Sequence, residues 1–146
     1  MALGSRLTNA ASAAPLPTAT SFTSIGSRND EVVFPQPYAS TLAAARTVMV
    51  QSICPLRVVD HGLLLADAVA YRLVLDALSH EGPADPARLN SLTCLGLTFP
   101  GIDIGAATGF ARPLVALARG LLDRSTWATS EPSLPRYATP YGQAAR

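Results

Sequence analysis

The run Val48-Met49-Val50-Gln51-Ser52-Ile53-Cys54-Pro55, closing on Val58-Val59-Asp60-His61-Gly62, decides how the rest of the chain is read. Apolar and β-branched residues dominate its first part, which predicts a strand over 48–53 closed by Cys54-Pro55. A histidine then stands in a loop just before a helix. Upstream, Ser21-Phe22-Thr23-Ser24-Ile25 carries aromatic and β-branched residues at alternating positions and reads as another strand. Gly26-Ser27-Arg28-Asn29-Asp30 is turn-rich, so that strand ends near residue 26 and Asp30 follows it in a loop. Asp30 and His61 thus flank one strand, each beyond a strand end.

Working outward, Ser5 to Ala14 is a short helical stretch ended by Pro15 and Pro17. Gly62 to Ser79 is helical. Its polar residues Asp67, Arg72 and Asp76 form one narrow stripe, so most of its circumference is expected to be covered. Gly82-Pro83 stops it. Residues 83–101 are loop-like, Gly105 to Asp123 forms a second helix rich in alanine and leucine, and the tail from Ser125 holds Pro132, Pro135 and Pro140. There is no internal repeat and no linker, which predicts a single domain over 1–146. Strands alternating with helices predict α/β layers and a parallel sheet. Two strands are too few for a stable sheet, so the expectation is an incomplete one.

The chain of 146 residues is long enough for one core. It is 49% hydrophobic and only 14% charged, against the usual quarter or so of charged residues. Such a chain buries much of itself or packs against something else. A net charge of +1 gives no support to a nucleic-acid or anionic-membrane partner. Every basic residue is arginine, read here as lineage bias rather than phosphate recognition. The longest apolar run, Ile102 to Leu122, is interrupted by Asp103, Arg112 and Arg119, so no transmembrane segment is expected. The start of the chain does not read as a signal peptide, because Ser5, Thr8, Asn9 and Ser12 break any apolar stretch. Cys54 and Cys94 suit one disulfide in an oxidising compartment or, equally, two reduced thiols. Two His and two Cys lack metal-ligand spacing, and no phosphate-binding glycine loop is present. No metal and no cofactor are therefore expected.

The order of Asp30 and His61 has a chemical meaning. In α/β-hydrolases a serine, an acid and a histidine follow one another in the chain, the last two on loops after successive strands. A serine hydroxyl is a weak nucleophile at neutral pH, so a neutral imidazole must take its proton and later return it to the leaving group. A carboxylate holds the other ring nitrogen and stabilises the imidazolium. Asp30 and His61 suit those roles. Taken singly, an Asp after Asn is commonly a turn residue, and a loop His before a helix is commonly a surface or capping group. Order alone leaves these readings open.

The chain resembles the lipase B family of Candida antarctica and its bacterial relatives over nearly its whole length. Thr23-Ser24-Ile25 through Asp30-Glu31-Val32-Val33, with Pro35-Gln36, is similar to the family's catalytic-acid segment. Val50-Gln51-Ser52-Ile53-Cys54 and Val58-Val59-Asp60-His61 are similar to its catalytic-histidine segment. Helix Gly105 to Leu122 is similar to the helix bordering the active-site mouth, and Leu134-Pro135-Arg136-Tyr137-Ala138 with Pro140 to the family's tail. The resemblance implies the C-terminal portion of an α/β-hydrolase fold, with Asp30 as triad acid, His61 as base and Cys54 paired with Cys94. It implies a secreted protein and an ester or lipid substrate for the intact parent. Two departures stand out. No G-x-S-x-G-like elbow occurs, since Gly4-Ser5 and Gly26-Ser27 lack its flanks, and the family's further cysteine pair near the tail is missing. The family's serine, oxyanion-hole donors and first strands align upstream of Met1. His80 has no family role and reads as a partner of a helix C-terminus.

These readings lead to a carboxylic-ester hydrolase, lipase or esterase, of the Ser-Asp-His type, present here as a fragment carrying only the acid and base. Leu63, Leu64, Leu65 and the apolar face of helix 105–122 are candidates for an acyl or alcohol pocket, or simply for core. One alternative is a non-catalytic hydrolase remnant, or a piece that associates with a separate N-terminal half. Another is an unrelated α/β domain in which Asp30 and His61 are incidental.

Overall fold

The computed structural model describes residues 4–103, 105 and 111–141. Contacts divide the chain into two compact units, Pro15–Pro100 and the pair of segments Met1–Ala14 with Gly101–Arg146.

The unit Pro15–Pro100 is built on two strands, β1 (Phe22–Gly26) and β2 (Ala45–Met49). They pair in parallel, in register from Phe22 opposite Ala45 to Gly26 opposite Met49. Parallel pairing places both carboxyl ends at the same edge, so the loops beginning at Ser27 and at Val50 leave from one side. β2 lies earlier in the chain than the strand expected over 48–53. The reason is local: the N–H groups of Ile53 and Cys54 both bond the Val50 carbonyl, at 3.1 and 3.0 Å, which coils Val50–Ser52 into a short 3₁₀ turn. An apolar run does not distinguish an extended segment from such a turn.

Helix α1 (Arg6–Ala13) belongs to the other unit. The helix expected from Gly62 to Ser79 is in fact two pieces. Leu63–Leu65 form a 3₁₀ turn whose first N–H is held by Asp60 Oδ1 at 2.8 Å. The α-helix proper, α2 (Ala68–Ser79), starts where Asp67 caps it. Asp67 Oδ1 accepts from the N–H groups of Val69 and Ala70 at 2.8 and 2.9 Å, satisfying two of the donors a helix start leaves free. Beyond the end of α2, Gly82 has φ +85°, a conformation that costs glycine nothing.

The core of this unit gathers Val50, Cys54, Val59, Val69 and Ala70, with Ile25, Ile53 and Leu64 against them. A second cluster joins Val48, Leu73 and Ala84. The Cys54–Cys94 disulfide is present, with Cα atoms 5.6 Å apart. Beside it, Arg57 Nε donates to Asp67 Oδ2 at 2.5 Å, a pair almost wholly withdrawn from solvent. The polar stripe expected along the helix over 62–79 is buried at two of its three positions, Asp67 and Asp76. Asp76 is buried, held by Arg88 at 2.8 and 2.6 Å and by the Asp85 N–H at 2.7 Å. Conversely, Val74 and Leu78 are 45% and 79% exposed, so the expected covering of most of α2 does not occur within this structure.

In the other unit, Ser5 caps α1 and accepts from the Thr8 N–H. Arg6 binds the Glu131 carboxylate through its backbone N–H and its guanidinium, and the Glu131 carbonyl at 2.6 Å. Helix α3 spans Ala111–Leu122. Of the helix expected over 105–123, residues 106–110 lie outside those described. Asp123 ends α3 and caps the 3₁₀ turn Arg124–Thr126 through the Ser125 N–H.

Candidate active site

Asp30 lies four residues past the end of β1, in the loop leaving its carboxyl end. Its N–H bonds the Ser27 carbonyl at 3.2 Å, closing the turn. The side chain then turns back, and Oδ1 accepts from the N–H groups of Val32 and Val33 at 2.9 and 2.7 Å. This is the Asx-type local bonding that makes Asp a turn residue. The turn reading of Asp30 is therefore correct as far as it goes, and it does not exhaust the residue.

His61 Nδ1 lies 2.9 Å from Asp30 Oδ2 and 3.1 Å from Oδ1. The carboxylate is buried, and the imidazole is 41% exposed. Burial pushes the Asp30 carboxyl up. The Val33 N–H, His61 and the Val32 N–H together outweigh it, so the group is held below the usual carboxylate value. Asp30 is therefore an anion at neutral pH, able to accept a hydrogen bond from His61 Nδ1–H. His61 Nε2 bonds no side chain among the described residues. The backbone N–H of His61 donates to Glu31 Oε2 at 3.3 Å.

Two residues not singled out by sequence reasoning tie these loops together. Gln51 is 6% exposed and Ser27 0%. Gln51 Oε1 accepts from the Arg28 N–H at 2.9 Å. Its Nε2 reaches Ser27 Oγ at 2.9 Å, Asn29 Oδ1 at 2.9 Å and the Arg57 carbonyl at 3.0 Å. Ser27 Oγ donates to the Val59 carbonyl at 2.5 Å. The one available signal was a polar residue inside the apolar run 48–53.

The leucines after His61 divide. Leu63 lines an open groove of about 620 Å³ with Leu56, Val58, Leu97 and the Cys54–Cys94 bridge. Leu64 packs on the core, and Leu65 is exposed. Neither Asp30 nor His61 lines that groove, so its walls do not by themselves make it a substrate pocket. His80 sits at the end of α2, where Nδ1 lies 3.1 Å from the Asp76 carbonyl and 3.3 Å from Asp76 Oδ1. That is the helix-end partnership expected of it. Among the described residues no group of His, Cys, Asp and Glu could hold a metal ion. No helix among them is long and apolar enough to cross a membrane.

The fold is lipase-like: among the described residues it has a two-stranded parallel sheet and three helices, in keeping with part of an α/β-hydrolase-like arrangement. A solved structure that shows this is the crystal structure of Aspergillus fumigatus lipase B. The two chains superpose with a TM-score of 0.67 and are 29% identical, over 82% of this chain and 31% of that one. This chain thus spans about a third of the length of the lipase it matches. No protein-family model and no curated protein matches it.

Proposed function

We propose that this chain is the acid- and base-bearing C-terminal part of a single α/β-hydrolase domain, in a secreted carboxylic-ester hydrolase of the Ser-Asp-His type. On this reading it is akin to the Candida antarctica lipase B group. The observation that carries the proposal is the 2.9 Å contact between His61 Nδ1 and buried Asp30, on loops leaving the same edge of a parallel sheet. Likeness to a lipase over 82% of the chain supports an ester substrate with an apolar acyl or alcohol part.

The chemistry assigned to the pair is proton transfer. His61 Nε2 takes the proton of a serine hydroxyl as that oxygen bonds to the ester carbonyl carbon, then gives it to the leaving alkoxide. Water repeats the cycle and frees the acid. Asp30 holds Nδ1–H throughout and balances the imidazolium charge. The sequence holds no G-x-S-x-G-like elbow, so the serine and the donors that stabilise the oxyanion are assigned to a preceding segment. The disulfide supports the oxidising compartment of a secreted protein.

The test begins with the DNA upstream of the Met1 codon. The expected result is an in-frame extension encoding a signal peptide and a serine elbow after a strand. The polypeptide joined to that extension should hydrolyse p-nitrophenyl esters, and His61→Ala or Asp30→Ala should reduce the rate by about 10³-fold or more. An extension that lacks a serine elbow, or hydrolysis indifferent to His61, would overturn the proposal. A second reading, a non-catalytic remnant that needs a partner, is favoured by exposed apolar side chains such as Leu56 at 97% and Leu97 at 80%. A stop codon directly upstream of a working start site is the result that would select it.

A further inference from the structure

We infer that Gln51, acting with Ser27, is a positioning residue that sets the geometry between Asp30 and His61. The inference rests on the ester-hydrolase reading of that pair.

Apart from Asp30, His61 is tied to the acid loop by one exposed contact, its N–H donating to Glu31 Oε2 at 3.3 Å. Its imidazole is 41% exposed, and neither residues 27–33 nor 57–61 form a helix or strand. A histidine on an irregular loop, bonded to a carboxylate on another irregular loop, is only as well placed as the link between the loops. Displacement of about 1 Å at such a pair costs on the order of 10²-fold in rate.

The link is built from two buried side chains. Gln51 stands in the 3₁₀ turn that follows β2, and its amide grips the acid loop at three successive residues: Ser27, Arg28 and Asn29. The same amide holds the histidine loop at the Arg57 carbonyl. Ser27 Oγ closes the bridge by donating to the Val59 carbonyl, two residues before His61. It accepts from the Asn29 N–H at 3.2 Å, one residue before Asp30. The two Nε2 protons of Gln51 face three acceptors, so its donors are fully used, and its Oε1 accepts as well. Networks satisfied to this degree in a low-dielectric interior are rigid and costly to break in part. Each contact lies within a few residues of Asp30 or His61. Movement of the amide is therefore transmitted to both members of the pair.

A purely structural Gln51 would matter to stability but not to the state of His61. The ring nitrogens separate the two roles. When Asp30 accepts from Nδ1–H, a neutral His61 is held in the Nδ1–H tautomer, and long-range ¹H–¹⁵N spectra of the 146-residue protein at pH 8 read that directly. Gln51→Met keeps the length and removes every bond, whereas Ser27→Ala removes one hydroxyl at almost constant volume. Folding is followed by far-UV circular dichroism and by the absence of iodoacetamide-reactive thiols. The expected result is a parent locked in Nδ1–H, and loss of that preference in both variants with the fold retained. Folded variants that keep the parent tautomer would overturn the inference. So would loss of the folded signal in both, because Gln51 and Ser27 would then be supports of the fold. A parent that does not favour Nδ1–H is a separate result, and it sinks the dyad reading itself.

Discussion

Two buried aspartates in the unit Pro15–Pro100 are held as anions by different means. Asp30 is bound by two backbone N–H groups and an imidazole. Asp76 is bound chiefly by the Arg88 guanidinium, which outweighs the cost of burial, with help from the Asp85 N–H. Both carboxyls lie below their ordinary value of 3.8 when folded, Asp76 far below it. The unfolded chain therefore binds their protons more readily than the folded chain does. The stability they contribute is fully present above the unfolded value and is lost as pH falls through the folded ones. The urea midpoint should accordingly be flat from pH 7 to about 5 and should drop below about 4. In Asp76→Ala the protein should lose about 1–3 kcal/mol at pH 7 and should show a shallower acid limb. An acid limb unchanged in Asp76→Ala would remove this carboxylate from the account. At this scale type and order raised Asp30 and His61 as a candidate pair, and the structure brings the two side chains into contact; the roles of acid and base came from the resemblance. Gln51 was not raised, because a polar residue in an apolar run announces burial without naming its partners.

At the scale of elements, boundaries were set by side chains that reach the backbone. Asp60 and Asp67 each stop and restart the chain, so one expected helix becomes a 3₁₀ turn and α2. Val50 accepts two N–H groups and ends β2 early. Hydrophobic periodicity reports which residues favour the core, and on α2 it reported them only in part, since Val74 and Leu78 face solvent while Asp76 is buried. It is silent on where a cap diverts the backbone. The disulfide belongs to this scale because it joins the turn after β2 to the segment before Thr98. Spacing left the Cys54–Cys94 pairing open, and only family resemblance supplied it. Its two cysteines are 40 residues apart in sequence. Closing a loop of that length stabilises the fold by about 3–4 kcal/mol on the chain-entropy view. Native protein treated with iodoacetamide should carry no label without reductant. Reduction should lower the unfolding free energy by about that amount, as measured by urea titration with and without dithiothreitol. A titration insensitive to dithiothreitol, with thiols shown to be free, would mean that Arg57–Asp67 and the core beneath hold this region unaided.

At the scale of the whole molecule, the low charge read from composition finds its counterpart in exposed apolar side chains. Leu56, Val58, Leu63 and Leu97 line an open groove, and Val74 and Leu78 of α2 face solvent. Among the described residues the sheet has two strands, fewer than independent stability ordinarily needs, and such edges offer unpaired backbone to other chains. The same counting of strands predicted an incomplete sheet from sequence, because strand number is visible there even when strand ends are not. The catalytic consequence follows from which parts a triad needs. The acid and base act on a serine, and most of the rate enhancement beyond them comes from oxyanion donors. The 146-residue chain by itself should therefore hydrolyse p-nitrophenyl esters no faster than its His61→Ala variant. It should also bind a hydrophobic dye such as ANS and self-associate as its concentration rises. Adding the proposed preceding segment in trans, or fusing it, should suppress dye binding and self-association together with the gain of hydrolysis, because one surface would serve all three. Hydrolysis by the chain alone that depends on His61 would require a nucleophile other than serine in an elbow. A monodisperse, cooperatively melting, dye-silent chain would show that these 146 residues form a complete domain and would favour a non-catalytic role.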